Sequence, residues 1–166
     1  PSRMATRWLF SHRSRVVKMS PVQIELRDSS FDSFQELFEH RKTISKIDDH
    51  GACSIFVGTM REYNGGDRVF SMQLEHYPGM TEKQLEEIVG EACKSHEILA
   101  GLLLHRIGKV HPGEDIVLVA VWSTHRKDAF TACREIMEAL KSKAPFWKKE
   151  TLAEGDRWVE NNTPGE

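Results

Sequence analysis

Residues 116–143 read IVLVAVWSTHRKDAFTACREIMEALKSK. The first part, 116–124, is apolar and rich in β-branched residues, so it is expected to be a central strand. From His125 the period changes. Phe130, Cys133, Ile136, Met137 and Leu140 recur at three- and four-residue steps. That pattern predicts a helix over 125–143 with those five residues facing the core. Ser123 or Thr124 is expected to cap its start, and Pro145 to end it.

The neighbouring segments fit the same plan. ILAGLLLHRIGKV (98–110) reads as a strand joined to 116–124 through the turn HPGED. TEKQLEEIVGEACKSH (81–96) is an amphipathic helix burying Leu85, Ile88, Val89 and Ala92. GACSIFVGTMRE (51–62) reads as a buried strand ending near Thr59–Arg61. NGGD (64–67) is a turn, 68–77 a hairpin return, and Pro78–Gly79 a break. VQIEL (22–26) alternates as a strand. A helix follows it, with Phe31, Phe34, Leu37 and Phe38 on one face and Ser30 as its cap. PFWKKE and DRWVE are short terminal strands. The class is therefore α+β: an antiparallel sheet with helices packed on one side.

The chain has 166 residues, which suits one domain with a core of its own. We expect that domain over 21–160, a basic leader over 1–20 and a flexible tail over 161–166. The leader holds Arg3, Arg7, Arg13, Arg15 and Lys18 and no acid. It reads as a disordered or non-native extension, such as a vector scar or a mis-assigned start, and it also resembles an organellar transit segment. The rest carries 18 of the 23 Lys and Arg residues against all 25 acids. A cluster of cations in that acidic body would stand out. The net charge of −2 does not suggest a general nucleic-acid binder.

Cys53, Cys93 and Cys133 show no CxxC and no Cys/His ligand spacing, so no metal site is expected. They read as reduced, buried thiols of a cytoplasmic protein.

Four places could carry chemistry. His125–Arg126 sits in the first turn of the last helix, where free backbone N–H groups favour a phosphate or carboxylate. The plainer reading is a solvated pair offset by Asp128. Lys141 lies near that helix's end, where a lysine ordinarily complements the dipole. Lys148 follows past Pro145, and if both lysines fold toward one pocket their proximity frees an amine for chemistry. Phe146 and Trp147 are placed to pin that turn. Arg61 ends a strand, with Gly58 just before it permitting close backbone approach. HRIG (105–108) reads as structural. No serine-hydrolase elbow, phosphate-cradling loop, HExxH helix or carboxylate dyad is present.

Taken together, GACSIFVGTMR, LEHYPGMTEKQLEEI, HRIG with PGE, STHRKDAF, and LKSKAPFWKKE with EGDRW closely resemble the catalytic large subunit of molybdopterin synthase, the MoaE type. The likeness covers roughly 22–160. It implies an α/β hammerhead fold and a homodimer. Each large subunit is capped by a small ubiquitin-like sulfur carrier (MoaD type) that inserts a Gly-Gly tail. It further implies conversion of cyclic pyranopterin monophosphate into molybdopterin with two sulfurs from the carrier's thiocarboxylate, and no cofactor. The catalytic lysines fall on Lys141 and Lys148. Substrate-binding positions fall on Arg61, His125, Arg126, Lys149 and Glu150.

Two other classes fit parts of this pattern. A non-catalytic module could hold a ubiquitin-like tail in the same basic groove, but tail binding alone needs fewer cations. A single-stranded nucleic-acid binder could stack bases on Phe146 and Trp147, but the acidic body opposes it.

Overall fold

The computed structural model describes residues 15–19 and 21–160. In chain order the elements are β1 (Arg15–Met19), β2 (Val22–Arg27), α1 (Ser33–Thr43), a 3₁₀ turn (Ile47–Asp49), β3 (Ala52–Thr59), β4 (Tyr63–Asn64), β5 (Asp67–Arg68), β6 (Ser71–His76), α2 (Met80–Ser95), β7 (Ala100–Arg106), β8 (Gly108–Val110), β9 (Asp115–Ser123), α3 (Arg126–Lys143), β10 (Phe146–Leu152) and β11 (Gly155–Trp158).

The main sheet has the order β1-β2-β7-β9-β3, and a second sheet the order β11-β10-β6-β8. All pairs are antiparallel except β2 with β7, and β4 with β5 forms a separate small ribbon. The α+β class is as expected. Residues 15–19, assigned from sequence to the leader, form β1 on β2. The rest of the leader, and the tail 161–166, lie outside the described residues.

The main sheet is covered on both faces. Ile24, Leu26, Leu103, Val117, Val119 and Val121 pack under α2 and α3, which bury Leu85, Ile88, Val89, Cys133, Ile136 and Leu140. The other face carries Leu102, Leu104, Leu118, Ala120 and Trp122, against which Phe31, Leu37, Ile44 and Ile47 pack. Thus α2 and α3 share one side, and α1 lies on the opposite one. β7 and β9 read as unbroken apolar runs because both of their faces are buried. A third cluster, with Met60, Val69, Met72, Leu74 and Val110, belongs to the second sheet.

Several local expectations change. Asp32, not Ser30, caps α1: its Oδ1 accepts from Phe34 N and Gln35 N, each at 2.9 Å. An aspartate cap is worth about 1 kcal/mol. Phe34 and Phe38 face solvent, as does Phe130 of α3. β3 is an outer strand with Ile55 and Phe56 exposed, so it is not buried as expected. The hairpin return over 68–77 is replaced by the β4–β5 ribbon and a β6 that pairs with β10 and β8.

The segment 98–110 is two strands, not one. Gly108 has φ +78°, a conformation that side-chain-bearing residues rarely adopt. The chain turns there from the main sheet into the second. Of the cysteines only Cys133 is buried; Cys93 is half-buried and Cys53 exposed.

Candidate active site

The site forms where the two sheets meet the end of α3. A tight turn sets it up. Ala144 precedes Pro145 and is extended (φ −75°, ψ 131°), as a residue before proline must be, so α3 stops at Lys143. Phe146 N then donates to Ala144 O at 2.9 Å, and β10 begins at once along β6. Phe146 and Lys148 alternate onto one face of β10, and Trp147 turns to the other, half exposed.

This corner walls a pocket of about 340 Å³. Phe56, Gly58, Thr59 and Arg61 come from β3 and the residues beyond it. His105 comes from the end of β7 and Val117 from the start of β9. Met137, Leu140 and Lys141 come from the last turns of α3, and Phe146 and Lys148 from β10. Apolar walls thus surround three cationic side chains. Gly58 matters to the wall, since a Cβ there would stand 2.7 Å from Val117 Cγ1 and 3.3 Å from the Phe56 ring.

Burial holds the Lys148 amine below the ordinary lysine value, and the charge of nearby Lys141 lowers it further. Glu150 acts in the opposite sense. His105 is buried too, and burial pushes its pKa down to about 4, with Lys148 and His76 adding to the effect. Its Nδ1 donates to Arg106 O at 2.7 Å, and its ring stacks on Phe146. The imidazole is therefore neutral and fixed in orientation.

Of the residues expected from sequence, Arg61, Lys141 and Lys148 meet in this pocket. His125 and Arg126 do not line it. They begin α3, and Arg126 is fifteen residues from Lys141, about 22 Å along the helix. His125 is itself the cap residue, without a side-chain cap bond, in place of Ser123 or Thr124.

Lys149 faces away from the pocket, 3.9 Å from Asp156 and over the Trp158 ring at 5.5 Å. Glu150 is buried. Its Oε1 accepts from Asn64 Nδ2 at 2.7 Å, and its Oε2 from Arg157 Nη2 at 2.9 Å and Nε at 3.1 Å. Arg157 also bonds Asp67 at 2.7 Å, so Glu150 ties β11 and the β4–β5 ribbon to β10.

His105 was read from sequence as structural, and the structure puts it on the pocket wall. The signal was one ionisable residue closing the apolar run AGLLLH.

The family model described as MoaE protein matches residues 26–143. A molybdopterin synthase catalytic subunit from Ralstonia nicotianae is 48% identical over 137 residues, covering 82% of this chain and 76% of that one. Its counterpart from Haemophilus ducreyi is 47% identical over 151 residues, covering 89% and 95%. Among solved structures, a molybdopterin biosynthesis MoaE protein from Burkholderia ambifaria superposes with a TM-score of 0.68 at 42% identity, over 84% of this chain and 90% of that one. Molybdopterin synthase from Staphylococcus aureus superposes with a TM-score of 0.73 at 30% identity, over 83% and 97%. A match of this extent, over a fold and pocket of this form, places the chain in the MoaE protein family.

Proposed function

We propose that this chain is the catalytic large subunit of a molybdopterin synthase. It converts a cyclic pyranopterin monophosphate into molybdopterin, taking two sulfurs from the thiocarboxylated C-terminus of a small ubiquitin-like carrier. It thereby serves molybdenum cofactor biosynthesis. The working assembly is a homodimer with one carrier on each large subunit, in the cytoplasm. No helix among the described residues is long and apolar enough to cross a membrane.

The observation that carries this reading is the meeting of Arg61, Lys141 and Lys148 in one apolar-walled pocket. A glycine-ended tail is slim enough for such a space, and its thiocarboxylate is an anion that the three cations can hold. Burial removes the water that would otherwise screen these charges, so each contact there is stronger than at the surface. Lys148, held below the ordinary lysine value, is the amine more readily freed of its proton. Lys141 stands beside it as the partner for proton transfer or a transient covalent bond.

His125 and Arg126 bind the substrate's phosphate. They lie too far from Lys141 to serve the pocket of their own chain, so they serve that of a second copy. The open edge of β3, with Ile55 and Phe56 exposed, suits pairing between copies. Glu150 acts indirectly, by holding β10 and by its charge on Lys148. Lys149 contributes positive charge at the rim.

Incubation with the cyclic precursor and thiocarboxylated carrier, followed by assay for a dithiolene, tests the reaction. Product is expected; none from folded protein with intact carrier overturns the reading. Cross-linking is expected to place the carrier's last glycine beside Lys141. A tail docked far from Lys141 and Lys148 overturns the site.

A further inference from the structure

The pocket's charged side chains all donate: Arg61, Lys141 and Lys148 have no acceptor to offer in their cationic forms. His105 is the exception among them. Its proton sits on Nδ1, which donates to Arg106 O, so Nε2 carries a lone pair. The ring cannot turn to exchange the two nitrogens without breaking that bond and its stack on Phe146. Phe146 is two residues before Lys148 on the same face of β10, so the stack seats His105 next to the Lys148 stem. The buried side-chain polar atoms without a partner, among the described residues, are Ser33 Oγ, His50 Nδ1, and Arg106 Nε and Nη1. His105 Nε2 is not one of them.

We infer that His105 is a positioning residue for Lys148, its Nε2 accepting a hydrogen bond from the lysine's amino group and so directing that group into the pocket. His105 is not a general base here. An imidazole that takes up a proton only near pH 4 does not accept one at neutral pH. It accepts a hydrogen bond only, which keeps Lys148 oriented whichever protonation state the lysine is in.

Such an acceptor binds the ammonium form more strongly than the amine. It therefore offsets part of the lowering that burial and Lys141 impose on Lys148. The charged and titratable groups around Lys148 are Lys141 on α3, Arg61 beyond β3, His76 on β6, Glu150 on β10 and His105 itself. Of these, His105 is the one that lines the pocket with an imidazole whose Nδ1 is already committed as a donor, leaving Nε2 as the acceptor.

The inference rests on the pocket being the reaction site, but its test does not need turnover. In protein labelled with ¹³C at lysine Cε, the Lys148 signal is assigned by its loss in Lys148→Arg and titrated by NMR. His105→Asn keeps a polar group near Nδ1 and places none at Nε2. His105→Gln reaches the Nε2 position. Lys148 is expected to titrate about one pH unit lower, a tenfold change, in His105→Asn. It is expected to stay at the wild-type position in His105→Gln. If His105→Asn does not fold, His105→Phe keeps the stack and is expected to give the same lowering. An unmoved titration in the variant lacking the acceptor overturns the proposal, as does an equal shift in both variants, which would assign the effect to ring bulk. In the assembled enzyme kcat is expected to follow the same order, with KM for the carrier unchanged. Absence of all turnover, with the NMR order preserved, would count against the reaction and not against the placement.

Discussion

Phe146 lies flat on His105, their ring centroids 3.8 Å apart and their planes 7° from parallel. Phe146 opens β10 in the second sheet, and His105 nearly ends β7 in the main one. This contact therefore pins the corner after Pro145 to the main sheet. The pairing of β10 with β6 and β11 sets the register of Lys148, and this stack adds a direct side-chain tie from β10 to the sheet that carries the pocket's other wall.

The same burial makes stability sensitive to acid. Unfolded, His105 binds its proton near the ordinary histidine value of 6.5; folded, it does so only near 4. Between those values the unfolded state binds more protons, so stability rises with pH and is lost as pH falls from 6.5 toward 4. The shift corresponds to about 3 kcal/mol. Denaturant titrations across that range are expected to show the slope in the wild type and a shallower one in His105→Gln. Equal slopes would mean that His105 does not govern it.

Lys141→Arg tests chemistry against charge. Arginine keeps the cation but gives up no proton. Turnover is expected to fall at least about 100-fold, the low end for acid–base catalysis, with carrier affinity little changed. Near-normal turnover would return Lys141 to the ordinary role of a lysine at a helix end.

Glu150→Gln probes the network beneath β10. The carboxylate accepts from Arg157 and Asn64, and hydrogen bonds to charged groups are worth about 1.5–3 kcal/mol. A loss of that order is expected in thermal or denaturant unfolding. Because the Glu150 charge raises the pKa of Lys148, its removal is also expected to lower the lysine's titration. Unchanged stability with a raised KM would instead make Glu150 a direct ligand of substrate.

None of the three cysteines lines the pocket. Burial pushes the thiols of Cys93 and Cys133 up, away from the reactive thiolate. Replacing Cys53 and Cys93 by Ser and Cys133 by Ala is expected to leave turnover per folded molecule intact. The cost should fall on stability, chiefly through Cys133, which packs in the core beneath α3. Loss of turnover in the folded triple variant would reveal a sulfur relay through one of them.

Much of this molecule is written locally. The apolar periods of β9, α2 and α3 mark those elements because the side chains that repeat are the ones buried. Proline at 145 ends α3 by removing a donor and constraining Ala144. Lys141, Lys148 and Arg61 were legible as candidates because cations near element ends stand out in an acidic chain. What lies between distant segments is not written that way. Period-two alternation marks a strand but not its partner, so β6 was assigned to a hairpin when it pairs with β10. The split at Gly108 depends on a backbone angle that matters only once two sheets diverge there. Glu150 reads in sequence as a neighbour of Lys148, and only the fold shows that it also bonds Asn64, 86 positions away, and Arg157 across the β10–β11 turn. His125 and Arg126 read in sequence as an anion site in the first turn of the helix that carries Lys141 near its end, but sequence does not say whether the two places share a pocket. The rise of that helix sets them at opposite ends. The stack of Phe146 on His105 joins residues forty-one positions apart, and only chain closure around a common core could bring them into contact.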